Sequence, residues 1–253
     1  MIGLGPLLRK ELMEAWRTRR VLVVAIVFTA FGIASPFLAR YTPELVKALA
    51  GKQFQIVLPP PTVGDAADQF LKNVGQAGIL TAVLLAMGSV AVEKERGTAA
   101  LLLSKPASRG AYLLAKMLAI TATLGIGLVL AAAGGYAYTA FLFEALPPVG
   151  WASMTGLLLL MLVVYAALTF LGSVVTRSSV AAAAIGVGGL LVAALVSALP
   201  TIGAYAPGGL SVPARALALG TDAGSLIGPL LVNLAVVAAL FGVSWLVFRR
   251  QEL

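Results

Sequence analysis

Six apolar stretches without a single Lys, Arg, Asp or Glu divide this chain, and all of its charge falls on the segments between and beside them. They lie at about 21–39, 74–92, 117–140, 151–175, 179–199 and 225–248. Each is close to or above the roughly 20 residues a helix needs to cross the hydrocarbon core. One charge at the centre of such a span would cost roughly 2.5–3.5 kcal/mol. With 11% charged residues and a mean hydropathy of +1.00, 253 residues cannot make a soluble domain's outer surface. The bilayer is the expected solvent. The runs lack two-residue alternation and are too long for barrel strands, which excludes a β-barrel. The expected fold is an all-α polytopic membrane protein with six transmembrane helices.

The basic residues set the expected orientation. With both termini in the cytoplasm, the inner segments hold thirteen of the eighteen Lys and Arg residues and five acidic ones, so the whole net charge of +8 lies on that side. The outer segments balance five basic residues with five acidic ones. The charge thus reflects topology and contact with anionic lipid. A nucleic-acid partner is not expected, because it would need basic residues and aromatics on one folded face. Tyr41, Trp151 and Trp245 fall near segment ends, where aromatic rings favour the interface.

Cysteine and histidine are both missing from the sequence. Disulfides, thiolate or imidazole metal sites, and Ser-His or Cys-His catalysis are therefore excluded. The first apolar stretch could pass for a signal peptide. Its basic lead is about 20 residues long, however, and Pro36 crowds the small-residue site near Ala34, so an uncleaved helix is expected.

Four segments carry the organisation. In 1–20, Leu4, Leu8, Leu12 and Trp16 recur every fourth residue, with Arg9, Lys10, Glu14 and Arg17 opposite them. This pattern predicts an amphipathic helix in the inner interface, acting as an elbow or a simple anchor. In 41–73, Thr42-Pro43-Glu44 reads as a helix start that Gly51 closes. An extended stretch from Gln53 to Leu58, a stiff Pro59-Pro60-Pro61 turn, and a second helix from Thr62, Asp65 and Asp68 follow. Residues 200–223 predict an outer interfacial element with a short helix at about 213–219. The small residues of the fifth span, Ala181 to Ala184, Gly186, Gly188 and Gly189, suit either a subunit interface or internal packing.

The fourth segment, 93–110, reads Glu93-Lys94-Glu95-Arg96-Gly97-Thr98, then an apolar run through Leu101, Leu102 and Leu103, then Pro106, Ser108 and Arg109. A membrane helix emerges with a charged last turn, which Gly97 can end in the left-handed conformation. Thr98 can cap a short apolar helix, Pro106 ends it, and Ser108 can cap the third span. A short apolar helix flanked by charges needs either a partner or the membrane surface to cover it.

This segment, placed between spans two and three, resembles the corresponding loop of ABC-2 type transporter permeases, and the likeness extends over essentially the whole chain. The Tyr205-Ala206-Pro207 region is similar to that family's element before the last span, whereas 41–73 is longer than in its smallest members. The resemblance implies that 93–110 holds a coupling helix docking in a separate ABC ATPase. Leu101, Leu102 and Leu103 would give apolar contact; Glu93, Glu95, Arg96 and Arg109 would pair charges. Gly97 and Pro106 would set the angles. It further implies two ATPase copies carrying ATP and Mg, a second permease copy (identical or related), and a bacterial or archaeal cell membrane with both termini in the cytoplasm.

The chain has no G-x-x-x-x-G-K-[ST] phosphate loop, so ATP hydrolysis is expected in another subunit. The expected function is a permease, by resemblance an exporter, working by alternating access at a permease dimer interface. The rival reading is an ion- or proton-coupled carrier. Spans without acidic residues argue against such a relay, and against an intramembrane enzyme. Thr121, Thr123, Tyr165, Thr169 and Asn233 are candidates to line a path, and interhelical hydrogen bonds explain them equally well.

Overall fold

The computed structural model describes residues 3–50, 59–103 and 108–251. Among the described residues ten α-helices run in order: α1 (Leu4–Arg17), α2 (Arg20–Ala50), α3 (Val63–Met87), α4 (Ala91–Glu95), α5 (Thr98–Leu103), α6 (Arg109–Leu142), α7 (Pro148–Val175), α8 (Ser179–Ser197), α9 (Ser211–Ala218) and α10 (Ile227–Arg250). Two 3₁₀ turns, Gly203–Tyr205 and Pro207–Leu210, precede α9. No strand occurs among the described residues. Six helical segments are long and apolar enough to span a bilayer: α2, α3 continued through α4, α6, α7, α8 and α10.

Helix α7 is the hub and packs against α3, α6, α8, α9 and α10, while α6 carries α1 and α2. Phe28, Phe70, Phe170, Phe248, Leu124 and Leu162 are fully buried between them. The α2–α6 contact is close enough that a Cβ added at Gly32 would lie 2.5 Å from the Ala131 carbonyl oxygen, so only glycine fits there. In α7, 67% of the most apolar 18-residue window is buried within the chain, against 11% in α8 and in α10. Helices α8 and α10 therefore leave most of their apolar surface to lipid or to another subunit. In α8, Ala182 and Gly186 turn inward against α7, so this part of the small-residue stripe serves internal packing.

The structure corrects two expectations. Thr42 does not start a helix, because α2 continues through Pro36 and Pro43 to Ala50. Within α2 the Ser35 hydroxyl donates to the Phe31 carbonyl at 2.6 Å and the Thr42 hydroxyl donates to the Leu38 carbonyl. Gly51 and the stretch from Gln53 to Leu58 lie outside the described residues. The second span reaches past the expected 92 to Glu95, with a break in its helix at Gly88–Val90. Trp151 is no interface anchor: it is buried, donates from Nε1 to the Ala132 carbonyl at 3.0 Å, and packs on Phe70 at 4.7 Å. Helix α1 is present as expected, with Lys10, Glu11 and Glu14 turned toward the bundle and the apolar Leu12 and Trp16 of its other face exposed.

Other expectations hold. Thr62 caps α3 in a reciprocal box with Asp65, its hydroxyl accepting from the Asp65 amide at 3.3 Å. Ser108 caps α6, accepting from the Ala111 amide at 3.1 Å. Helix α9 begins at Ser211, two residues before the expected start, and buries Ala214 and Ala218.

Candidate docking site

Helix α3 stops because the amides of Val90 and Ala91 leave its ladder. Both donate instead to the buried hydroxyl of Ser173 on α7, at 3.0 and 2.9 Å. One side chain thus satisfies two donors at a helix start that is shut off from water. Helix α4 then runs one turn to Glu95. Gly97 has φ 68°, the left-handed conformation expected of it, and redirects the chain into α5. Thr98 is the first residue of α5, and its hydroxyl donates to the Glu93 carbonyl at 3.2 Å, which ties the hairpin closed.

The hairpin has an inner and an outer side. Glu95, Arg96, Gly97 and Thr98 are exposed. Glu93, expected to meet a charge on an ATPase, turns inward. It accepts from Lys116 at 2.8 Å and Lys10 at 3.2 Å through Oε1, and from the Tyr112 hydroxyl at 2.5 Å through Oε2. Lys116 also reaches Glu11 at 3.1 Å, and Lys10 bridges Glu11 and Glu14 at 2.9 and 3.0 Å. The cluster therefore joins α1, α4 and α6, and Tyr112 extends it by stacking on Phe248 of α10. Carboxylate oxygens of Glu11, Glu14 and Glu93 come within 4.8 Å of one another, and the two ammonium groups supply their counter-charge. Burial favours a neutral Lys10, but its bonds to Glu11 and Glu14 and the charges of Glu11 and Glu93 outweigh that and raise its pKa.

Arg109 also turns inward. Its Nη1 donates to the carbonyls of Phe248, Arg249 and Gln251 at 3.0, 2.9 and 3.0 Å, capping the C-terminus of α10 with a positive charge. Lys94 donates to the Val174 carbonyl and to Gln251 Oε1, and Gln251 Nε2 donates to the same Val174 carbonyl at 3.0 Å. The hairpin is thereby fixed to the ends of α7 and α10 as well as to α1. Leu102 is half-buried against the core, and Ala99 is buried. The side chains of Leu101 and Leu103, and all of Pro106, lie outside the described residues.

Of the path candidates, Thr123 faces a cleft between α2 and α3, with its hydroxyl donating to Ala119. Thr121 is half-buried on α6. Tyr165 and Thr169 lie buried on α7, where Thr169 fits against Gly186 of α8. Asn233 donates to the Tyr205 and Pro229 carbonyls at 3.0 and 2.9 Å and fastens the 3₁₀ turn to α10. The structure adds Lys10, Glu11, Glu14, Tyr112, Lys116 and Ser173 to the site. A sequence signal existed for Lys116: it lies eight residues beyond the Ser108 cap, about 12 Å into an otherwise apolar helix.

A bundle of six helices, each long and apolar enough to cross a bilayer, defines a multi-pass membrane protein. The chain belongs to the ABC-2 transporter family: residues 6–215 match the profile described as ABC-2 family transporter protein. It is 30% identical over 186 residues to the uncharacterized transmembrane protein YxlG of Bacillus subtilis (strain 168), covering 72% of this chain and 71% of that one. The chain is a membrane permease component of an ABC transporter, and its family implies association with an ABC ATPase subunit.

Proposed function

We propose that this permease is the membrane half of an ATP-driven exporter and that the exposed α4–α5 hairpin is its ATPase dock. The observation that carries this reading is the hairpin's construction. Its outer residues Glu95 and Arg96 are presented to solvent, while Glu93, Lys94 and Ser173 lock its inner side to three other helices. A surface held this firmly can pass a push into the bundle. Both termini and the hairpin face the cytoplasm of a bacterial or archaeal cell membrane, in keeping with the basic residues gathered at that end.

Two permease copies, or this chain and a related one, enclose a path at their interface. Two ATPase subunits bind ATP and Mg, and their closure drives alternating access. Substrate and nucleotide must each favour one of the two states for the cycle to be coupled. The sparsely packed α8 and α10 offer faces for the second permease, and Thr123 is the path candidate already open to a cleft.

The test is capture from native membranes in mild detergent, comparing wild type with Glu95→Lys/Arg96→Glu. A phosphate-loop ATPase should co-purify with the wild type and be lost from the variant. If correctly inserted protein brings down no ATPase in either form, the permease dock is wrong and a gradient-driven carrier takes its place.

A further inference from the structure

Helices α2 and α3 do not close against each other along their full length. Between them lies a groove of about 1410 Å³, floored by α6 and reached by α1 and α5 at the end that carries the charge cluster. It exceeds the roughly 300–1,000 Å³ of sites for drug-sized ligands. Its walls are apolar. Val23 and Phe31 on α2 and Leu80 and Leu84 on α3 line it while remaining 57, 43, 62 and 54% exposed. Within a bilayer such walls call for hydrocarbon.

The polarity changes sharply at one end. Lys10 and Lys116 reach the groove but are committed to Glu11, Glu14 and Glu93. Arg20 and Arg96 line the same end and make no ion pair among the described residues. The uncommitted charge at the mouth is therefore two guanidinium groups, the side chain best suited to bind phosphate oxygens in pairs. A second copy of this chain is a poor occupant, because its own segments at this end are basic and would repel the mouth.

We propose that the groove binds a membrane amphiphile with acyl chains and an anionic, phosphate-bearing head group. The chains lie between α2 and α3 against Val23, Phe31, Leu80 and Leu84. The head group lies at Arg20 and Arg96. Leu102 of α5 lines the same groove, so the ligand touches the docking hairpin from behind. This assignment rests on the proposed function only in that the chain sits in a bilayer with its basic end at the head groups.

The sequence has no cysteine, so single probes can be placed cleanly. Leu84→Cys, with Leu80→Cys as a second groove position, would carry an environment-sensitive fluorophore. The reference is Leu195→Cys on α8, where the side chain is 72% exposed. Each labelled protein is reconstituted in phosphatidylcholine vesicles, and brominated phosphatidylglycerol or brominated phosphatidylcholine is titrated in as quencher. At the groove positions the anionic lipid should reach half-maximal quenching at a mole fraction about thirtyfold lower than the zwitterionic one, the factor expected for two basic residues near head groups at about 1 kcal/mol each. At Leu195→Cys the two lipids should quench alike. Arg20→Gln/Arg96→Gln should abolish the preference at the groove. Equal curves for both lipids at the groove, or a preference that survives the double arginine variant, would overturn the proposal. So would cross-linking of two chains through Leu84→Cys in the membrane, which would assign the groove to a second copy. ATPase capture is read separately. Capture without lipid preference removes only this site, and lipid preference without capture removes only the permease dock.

Discussion

Each end of the bundle carries charge pairs, and they differ in almost everything but chemistry. At the far end, Arg215 of α9 meets Asp68 of α3 at 2.6 Å, with both side chains nearly half exposed. At the basic end, Lys116 is 3% exposed and two carboxylates share it. Water screens the first pair, and its loss leaves two solvated side chains. In the second, losing one partner strands a charge inside the protein. The far end relies on packing, with Trp151 set between Phe70 and Tyr136 and with α9 laid on α7. The basic end relies on charge and on clamped helix termini. Polar fastening is concentrated where a one-turn hairpin, too short to hold itself, must keep its place.

The comparison can be broken most decisively at Glu93. Glu93→Ala should cost about 3–5 kcal/mol of stability, measured by thermal or denaturant unfolding in detergent. Glu93→Leu/Lys116→Met should recover much of that loss; no recovery would show that the cluster acts through more than charge compensation. Trp151→Ala should cost a similar ~3–5 kcal/mol through a cavity at the far end, and a loss below about 1 kcal/mol would contradict the packing account. Ser173→Ala leaves two buried amides without their acceptor and should cost about 1–3 kcal/mol, with faster hydrogen exchange at Val90 and Ala91. Arg215→Ala should cost about 0–1 kcal/mol, and added salt should shrink the difference further. The smallest effect concerns pH. Lys10 has its pKa raised above the ordinary 10.5, so its contribution is complete below that value and is lost only as pH climbs through the higher folded one. The stability difference between wild type and Lys10→Met should therefore stay flat from about pH 7 to 9.

All six spans were legible because hydropathy and charge exclusion act on each segment separately. So were the Thr62 and Ser108 caps and the left-handed Gly97, since these depend on a few neighbouring residues. What escaped depends on neighbours distant in sequence. Pro43 read as the first position of a new helix, yet α2 runs through it to Ala50. The face of α1 was assigned as if only water and lipid surrounded it, whereas Glu93 and Lys116 give its polar side a protein partner. Of the residues proposed for docking, Glu95 and Arg96 are exposed. Glu93 and Arg109 were grouped with them because local sequence does not tell an outward charge from an inward one.

The break at Gly88–Val90 has a mechanical consequence. A continuous α3 would transmit a displacement of the hairpin along its own axis, like a rod. With the amides of Val90 and Ala91 seated on Ser173, α4 instead has its fulcrum on a different helix. Under the proposed docking, a push on the hairpin would bear on α7, and through it on α8, which packs along α7.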